Sequence, residues 1–198
     1  MKFEQQILNE VPADDSTSHE EKMLLYNEIK KLKPKVVVET GTHKGLTSLY
    51  MGHALYDNQK GHLFTADPFE WGARGNIRKF PEIEQRVTFY QIRGSELKEQ
   101  VKDIDFLFID GYHEKREVLE EARALFPLLR DGATVYFHDT NGANDLCDVL
   151  GAIEELGIKV EFLKTTNGMA KYVHKCSNTD TKPKSTKRRT RESSKKSS

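Results

Sequence analysis

The sequence predicts an α/β domain in which helices cover both faces of a doubly wound, seven-stranded and mostly parallel sheet. Short apolar runs alternate with amphipathic stretches along the chain, which is typical of strand–helix–strand units. The runs are apolar at nearly every position, as expected for strands covered on both faces. Polar residues cluster where the runs end, and such sheets bind their ligands outside the carboxyl ends of the strands.

Apolar runs bounded by polar or turn-forming residues predict the seven strands. They lie at 35–39, 62–67, 87–92, 105–110, 134–139, 159–163 and 169–174. A long connection, 68–81, follows the second strand, and long connections inside a domain are usually functional or mobile. It carries Trp71, for which stacking on a ligand and anchoring of the loop both remain open.

Apolar residues repeated at helical spacing predict three clear helices. The first begins at Ser18 and Glu21, which have the spacing of a capping box. The second follows the first strand, and the third lies between the fourth and fifth strands. The residues expected to share a face are Leu25, Ile29 and Leu32 in the first helix, Leu46, Leu49, Tyr50 and His53 in the second, and Val118, Ala122, Leu125 and Leu129 in the third.

The overall composition gives no indication of a charged partner or of a membrane span. Lys plus Arg equals Asp plus Glu at 31 each. The two cysteines, Cys147 and Cys176, have no metal-ligand spacing and fit a reducing compartment. No run approaches the roughly 20 apolar residues of a transmembrane helix. We therefore expect a soluble, cytoplasmic protein.

Three parts are expected along the chain: an N-terminal segment, 1–17; the folded domain, 18–176; and a disordered basic tail, 177–198. The tail has eight basic residues against two acidic ones and too few apolar residues to order itself. Two roles for it remain open, a solvated linker and weak, non-specific binding of nucleic acid. The assembly state is also open, with a homo-oligomer among the alternatives.

A glycine turn follows the first strand in the stretch VVVETGTHKG. Gly41 and Gly45 allow a tight turn and close approach of a ligand, and the helix that begins there offers free N–H groups to an anion. Glu39 and Asp67 end the first two strands, and an acid at the second of these positions commonly holds ribose hydroxyls. Because the G-x-G-x-x-G pattern of pyrophosphate sites is missing, one nucleoside with a single carboxylate fits better than a dinucleotide. Solvated strand ends are the alternative for both acids.

This turn, together with FTADPF and IRGSE, makes residues 18–174 resemble a class I S-adenosylmethionine-dependent methyltransferase with a Rossmann-like fold. The resemblance implies that the domain 18–176 binds S-adenosylmethionine. The residues assigned to the cofactor are Glu39, Gly41, Thr42, Gly45 and Thr47 around the turn and the methionine end, Asp67 at the ribose, and Gly94 with Ser95 at the adenine. Tyr112 is expected to border the cofactor because it follows Asp110. Helix capping remains open for Thr47 and Ser95.

Two acids follow strands that are expected to be neighbours. Asp110 and Asp139 are 29 residues apart, the length of one strand–helix–strand crossover. Adjacent strands lie about 4.8 Å apart, so both carboxylates can meet one hard divalent cation such as Mg²⁺. His138 would add a nitrogen ligand and favour Mn²⁺. His113 would stand beside the ion with a pKa suited to removing a proton.

These residues resemble the metal-dependent O-methyltransferases, in particular the branch that methylates sugar hydroxyls of macrolide antibiotics. The shared elements are D-G-x-H at 110–113 and the later pair at 138–139, where that branch often has two acids. The resemblance implies Asp110, His138 and Asp139 as ligands of Mg²⁺ or Mn²⁺, with His113 as general base beside Asp110. Simpler alternatives are a plain turn at Asp110, packing for His138, and capping of a helix at 146–150 by Asp139.

The function expected from these features is methyl transfer to a hydroxyl of a sugar or glycan, so that the expected partner is a small-molecule or glycan acceptor. A catechol or phenol acceptor is the closest alternative, and a non-catalytic cofactor-binding or nucleic-acid-associated module is the alternative of another class. Nucleic acid is not expected as the substrate. Enzymes that methylate base amino groups commonly carry an acidic or amide residue followed by Pro-Pro-aromatic after the fourth strand, where this chain has IDGYHE.

Overall fold

The computed structural model describes residues 2–11, 16–142 and 147–176. The strands of the described residues are β1 (Val36–Thr40), β2 (His62–Ala66), β3 (Val87–Tyr90), β4 (Ile104–Ile109), β5 (Leu129–His138), β6 (Glu161–Leu163) and β7 (Met169–Val173). They form one sheet in the order β3-β2-β1-β4-β5-β7-β6. The pairs among β1 to β5 are parallel, and β7 runs antiparallel to both β5 and β6. The predicted seven-stranded, mostly parallel sheet is therefore confirmed.

Helices cover both faces of this sheet. They are α1 (Lys2–Glu10), α2 (His19–Leu32), α3 (Leu46–Asp57), α4 (Ala73–Arg78), α5 (Pro81–Glu84), α6 (Lys115–Leu125) and α7 (Val149–Leu156), with short 3₁₀ turns at Gly94–Glu99 and Phe126–Leu128. Phe106 and Phe108 of β4 belong to the core formed with α1 to α5, whereas Leu107 and Ile109 belong to the core formed with α6 and α7. Because successive strand residues point to opposite faces, a strand between two helical layers is apolar at every position.

The predicted capping box at the start of α2 is confirmed. The Ser18 hydroxyl accepts from the backbone N–H of Glu21, and the Ser18 N–H donates to Glu21 Oε2 at 2.8 Å. The segment before it contributes more than a connection. In α1, Ile7 is fully buried and Phe3 stacks on His53 with 3.4 Å between ring centroids. Helix α1 thus packs against α3 from within the segment 1–17.

Several predicted element boundaries were wrong for local reasons. Leu129 was expected on the buried face of the third helix, but it begins β5. Proline lacks the N–H needed to continue the helical hydrogen bonds, so the α-helix ends at Leu125 and Pro127 lies in a 3₁₀ turn. Leu32 lies in the last turn of α2 and is 45% exposed. The connection 68–81 contains α4, a helix too short to show an apolar period.

The register of the parallel strands fixes which side chains meet at the carboxyl edge of the sheet. Residue Ile109 of β4 is paired with Phe137 of β5. The next residues, Asp110 and His138, therefore lie side by side, and Asp139 follows directly. The sheet order β1, β4, β5 places these residues next to the turn after Thr40 in the middle of the sheet.

Some sequence-based expectations lie outside the described residues. These are the disordered basic tail, 177–198, and the start of the helix proposed at 146–150. In the ranges that the structure describes, no helix has both the length and the apolar character needed to cross a bilayer.

Substitution of Gly41 by alanine is expected to destabilise the fold strongly. Gly41 has φ +82°, and an added Cβ would lie 1.9 Å from the carbonyl oxygen of Asp110. The left-handed backbone conformation and this overlap together should lower the free energy of unfolding by about 3 kcal/mol or more. Gly132→Ala is the matched control because Gly132 has φ +80° with nothing within 4 Å of the added Cβ. Urea unfolding of both variants measures the difference, and equal losses of stability would contradict the close approach.

Candidate active site

A pocket of about 560 Å³ lies at the carboxyl edge of the sheet. Six of the residues predicted as cofactor-binding or catalytic line it: Gly41, Asp67, Gly94, Asp110, Tyr112 and His113. They come from the turns after β1, β2, β3 and β4, which the parallel topology brings to one edge. A pocket of this size is within the usual range for small-molecule sites.

The Asp67 carboxylate is fixed in place after β2 by two backbone donors. The N–H of His43 donates to Oδ2 at 2.9 Å, and the N–H of Phe69 donates to Oδ1 at 2.8 Å. Asp67 is only 7% exposed, so the solvated strand end considered for it is wrong. Each carboxylate oxygen can accept a second hydrogen bond, which leaves capacity for two ligand hydroxyls.

Glu39 at the end of β1 is completely buried, so a solvated strand end is wrong here too. The Ser48 hydroxyl donates to Oε2, while Oε1 has no hydrogen-bond partner among the described residues. Burial raises the pKa of Glu39 to about 8, against the opposing effect of hydrogen bonds from Ser48 and Thr65. The acid lies behind the pocket wall, and its role at the methionine end stays a prediction.

Four other predicted cofactor residues, Thr42, Gly45, Thr47 and Ser95, do not lie on the pocket wall. The hydroxyl of Thr42 lies 2.5 Å from that of Thr65, and Thr47 donates to the Thr17 hydroxyl at 3.2 Å. Ser95 donates to Glu120 at 3.0 Å. Helix capping is also wrong for Thr47 and Ser95, because Gly45 and Arg93 occupy the N-cap positions. Their direct contact with a cofactor stays a prediction.

The sequence reasoning missed Glu121, a buried acid from α6 that lines the pocket. The Thr40 hydroxyl donates to its Oε2 at 2.7 Å. A Cβ added to Gly94 would lie 2.4 Å from Glu121 Oε1, and a Cβ added to Gly111 would lie 2.5 Å from the same atom. The carboxyl therefore fills the space left by two glycines, one from each neighbouring turn. Burial raises its pKa to about 8, opposed by the hydrogen bond from Thr40.

We expect Glu121→Gln to change the pH dependence of stability. The folded pKa of about 8 exceeds the ordinary glutamate pKa of 4.5, so the native state binds more protons than the unfolded state between these values. Wild-type stability must therefore fall as pH rises through this window. An uncharged amide removes this contribution, and the variant should gain on the wild type by a few kcal/mol between pH 5 and pH 8.5. Urea unfolding across this range checks it, and parallel curves would contradict the buried neutral acid.

The residues that follow β4 and β5 form a cluster of acids and histidines. His138 Nδ1 lies 2.8 Å from Asp110 Oδ1 and 3.4 Å from Asp139 Oδ2. His113 Nδ1 lies 2.9 Å from Asp139 Oδ2, and its Nε2 lies 3.4 Å from Asp110 Oδ1. One donor atom from each of the four residues lies within 4.8 Å of all the others. The expected meeting of the two carboxylates is confirmed, and Asp139 does not cap α7, whose N-cap is Asp148.

Mutual charge attraction controls ionisation in this cluster. Burial alone would lower the pKa of His113, but the adjacent carboxylates of Asp110 and Asp139 raise it to about 9. Burial would also lower the pKa of His138, but the surrounding acids outweigh burial and raise this pKa. Burial would raise the pKa of Asp139, but the two histidines lower it. Asp139 has φ +56°, a left-handed conformation that costs energy and is common at functional sites.

The donor set fits a divalent cation. Neighbouring ligands of an octahedral Mg²⁺ or Mn²⁺ ion lie about 3 Å apart, close to the separations of 2.8 and 3.4 Å found around His138 Nδ1. The buried Nδ1 of His138 and Nε2 of His113 have no correctly oriented hydrogen-bond partner in the described part of the chain. Asp110, His138 and Asp139 would hold the ion, with His113 at its side or as a fourth ligand.

Two residues around this cluster were not predicted as part of a site. Thr17 is 1% exposed and donates to Asp110 Oδ2 at 3.1 Å. Glu21 is completely buried, with Oε2 at 3.1 Å from His138 Nε2. The capping-box pattern identified Glu21 only as a helix-start residue. No local pattern reports that the start of α2 lies over the ends of β4 and β5.

Exposed aromatic side chains border the pocket. Trp71 is 56% exposed and makes edge contacts with His43 at 5.5 Å and Phe69 at 5.6 Å between ring centroids. Tyr112, on the turn after β4, is 62% exposed. Because both rings remain accessible beside the pocket, stacking on a bound molecule and anchoring of the loop both remain open for Trp71.

The fold is that of a class I S-adenosylmethionine-dependent methyltransferase. A family model described as a methyltransferase domain matches residues 38–140, just over half of the chain. The chain belongs to this family of methyltransferase domains. The match begins within β1 and ends just after Asp139, so it covers the glycine turn and the acid–histidine cluster.

Solved structures share this fold at low sequence identity. An O-methyltransferase from Bacillus cereus in complex with S-adenosylhomocysteine (SAH) has a TM-score of 0.72 and 18% identity over 88% of this chain and 91% of that chain. SAH-bound methyltransferase PaMTH1 from Podospora anserina has a TM-score of 0.68 and 15% identity over 86% of this chain and 85% of that chain. A third structure is the O-methyltransferase TomG from Streptomyces achromogenes, which is involved in tomaymycin synthesis and is in complex with SAM. It has a TM-score of 0.66 and 17% identity over 83% of this chain and 92% of that chain. No curated protein matches the chain.

Proposed function

We propose that this chain is a divalent-metal-assisted O-methyltransferase that transfers a methyl group from S-adenosylmethionine to a hydroxyl of a sugar or glycan. One observation carries the proposal. Asp110 and His113 of the acid–histidine cluster line the same pocket as the Asp67 carboxylate after β2, and His138 and Asp139 lie directly behind them in the cluster. A methyl donor and an acceptor hydroxyl can therefore meet at one edge of the sheet.

The donor would bind along the turns after β1, β2 and β3. Asp67 would accept hydrogen bonds from the two ribose hydroxyls. Backbone N–H groups hold both of its oxygens in place, and each oxygen can accept one more hydrogen bond. The lack of a side chain at Gly41 allows close approach of a ligand to the turn after β1. The adenine would lie near Gly94, where the buried Glu121 carboxyl forms part of the pocket wall. Solved structures of the same fold are bound to SAH or SAM, which supports the choice of methyl donor.

The acceptor hydroxyl would lie between the donor and the cluster. A bound divalent cation would lower the pKa of that hydroxyl and, by charge repulsion, of His113. His113 would take the hydroxyl proton as general base. The oxygen–carbon bond forms as the carbon–sulfur bond breaks, and SAH leaves. Alignment of oxygen, methyl carbon and sulfur supplies much of the remaining rate.

A sugar hydroxyl is the acceptor class that most needs this arrangement. An alkyl hydroxyl is a poor nucleophile near neutral pH, and a cation with an adjacent base assists it most. The accessible rings of Trp71 and Tyr112 at the pocket would stack on the apolar face of a sugar. Other hydroxyls of the sugar would find polar partners on the same wall, which includes Arg93 and Glu117.

A transfer assay with methyl-labelled S-adenosylmethionine tests the proposal. The acceptors are a panel of nucleotide sugars and glycans beside a panel of catechols and phenols, each with Mg²⁺ or Mn²⁺. We expect label in the sugar panel only. Label in the catechol panel alone would contradict the acceptor class, and no SAH binding by calorimetry would contradict the function itself.

A further inference from the structure

Glu21 is the residue through which helix α2 contacts the acid–histidine cluster. It is the third residue of α2 and is completely buried. Its Oε2 lies 3.1 Å from Nε2 of His138, which is also buried. His138 is the last residue of β5, so this contact joins residues 117 positions apart in the chain.

Three further donors hold the Glu21 carboxylate in place. Oε1 accepts from the Thr165 hydroxyl at 2.7 Å and from the Asn167 N–H at 2.9 Å, both in the connection between β6 and β7. Oε2 accepts from the Ser18 N–H at 2.8 Å. With His138, each oxygen has two partners, which is its full complement. The carboxylate is therefore fixed from the helix side and from the sheet side.

We propose that Glu21 is a positioning residue for the cation centre, where it fixes the ring of His138 and directs Nδ1 at the ion. This inference rests on the proposed function, since it requires a divalent cation between Asp110, His138 and Asp139. It deepens that function by placing the start of α2 in the metal-binding apparatus.

The two ring nitrogens of His138 face different groups. Nε2 faces Glu21, which has only acceptor atoms and so requires the proton on that nitrogen. A cation can then take the place of the second proton on Nδ1, which lies 2.8 Å from Asp110 Oδ1 and 3.4 Å from Asp139 Oδ2. A carboxylate behind a ligand histidine sets the tautomer and raises the basicity of the ligand nitrogen. Helix capping alone would need only the Ser18 contact.

The chain offers a matched control in Glu28, two turns further along α2. Glu28 is a partly buried acid, with a side chain that is 16% exposed, and it accepts side-chain hydrogen bonds from Tyr136 at 3.0 Å and from Lys171. Among the described residues, no hydrogen bond or ion pair joins Glu28 to any of the four cluster residues. Glu28→Gln therefore reproduces the loss of one buried charge from the same helix without changing the partner of His138.

The experiment is calorimetric titration of Mn²⁺ into the cation-free full chain, for wild type, Glu21→Gln and Glu28→Gln. Glutamine is accepted at the third position of a capping box, so the helix start is retained. We expect Glu21→Gln to raise the Mn²⁺ Kd by roughly 10- to 100-fold, the usual effect of losing an outer partner of a ligand histidine. Glu28→Gln should leave this Kd unchanged, and thermal unfolding without metal monitors folding of each variant.

The outcomes separate this inference from the proposed function. Wild-type chain that binds Mn²⁺ while Glu21→Gln binds it equally well would overturn the role of Glu21 alone. Wild-type chain that binds no Mn²⁺ would overturn the metal assignment and this inference with it, while SAH binding would still test the methyltransferase assignment. If Glu21→Gln fails to fold, Thr165→Val is titrated instead. It removes one of the bonds that orient Glu21, and an unchanged Kd in that variant would count against the inference.

Discussion

Removal of divalent cations is expected to lower methyl transfer by at least about 100-fold. A metal ion of this kind contributes several kcal/mol of charge stabilisation in the transition state, and each 1.4 kcal/mol corresponds to about tenfold in rate. The donor atoms of Asp110, His138 and Asp139 lie at the mutual separations of such a site. The measurement is turnover of labelled S-adenosylmethionine before and after dialysis against EDTA, with an acceptor from the active panel.

Restoration is the control for this experiment. Added Mg²⁺ or Mn²⁺ should return the activity, while SAH binding measured by calorimetry should persist in the dialysed protein because Asp67 and Gly41 lie outside the donor set. Turnover that survives thorough chelation would mean that the charged histidines neutralise Asp110 and Asp139 without an ion. In that case the chemistry would run without metal assistance.

Substitution of His113 by alanine is expected to have the second large effect. A well-placed general base contributes about 100-fold or more to rate, so kcat should fall by about 100-fold, and by no less than about tenfold if water replaces the base in part. His113 lines the pocket, lies 2.9 Å from Asp139 Oδ2, and has a side chain that is 35% exposed. It is therefore the cluster histidine that a bound acceptor can reach, whereas His138 is completely enclosed. Steady-state kinetics measure kcat, and calorimetry measures the Kd for SAH.

The Kd for SAH should stay nearly unchanged in this variant. His174→Ala is the matched control, because His174 follows β7 and is not one of the pocket-lining residues of the described chain. Asp110 and Asp139 raise the pKa of His113 to about 9, so the histidine is protonated near neutral pH. It can act as a base only when the positive charge of a bound cation lowers this pKa. Full activity in His113→Ala would exclude the histidine as the base.

The fold could be predicted because its signals are local and repeated. Phe106 and Phe108 pack on one side of the sheet and Leu107 and Ile109 on the other, so β4 reads as an unbroken apolar run. Element ends were less predictable. Leu129 continues the apolar spacing of α6 but belongs to β5, because Pro127 changes the path of the backbone in between.

The candidate site likewise contains residues whose positions could be predicted from the sequence and residues whose contacts could not. Asp67, Asp110 and Asp139 could be expected together because parallel topology brings the strand ends to one edge. The hydroxyls of Thr47 and Ser95 were assigned by motif position, and the structure instead bonds them to Thr17 and Glu120.

The acids that no motif identified are those that depend on tertiary packing. Glu21 reaches His138 only because α2 crosses the carboxyl edge, and Glu121 fills the space beside Gly94 and Gly111 only because α6 packs there. Single-sequence periodicity identifies the buried face of a helix. It does not report which partner lies across from an acid on that face.

The account depends most on one cation held by the ends of β4 and β5 beside a bound methyl donor. Anomalous diffraction from a crystal grown with Mn²⁺ and SAH tests it directly. We expect one manganese peak bounded by Asp110, His138 and Asp139, with the SAH ribose on Asp67 in the same pocket. SAH bound there without manganese between the two strand ends, or manganese bound only elsewhere, would contradict the account.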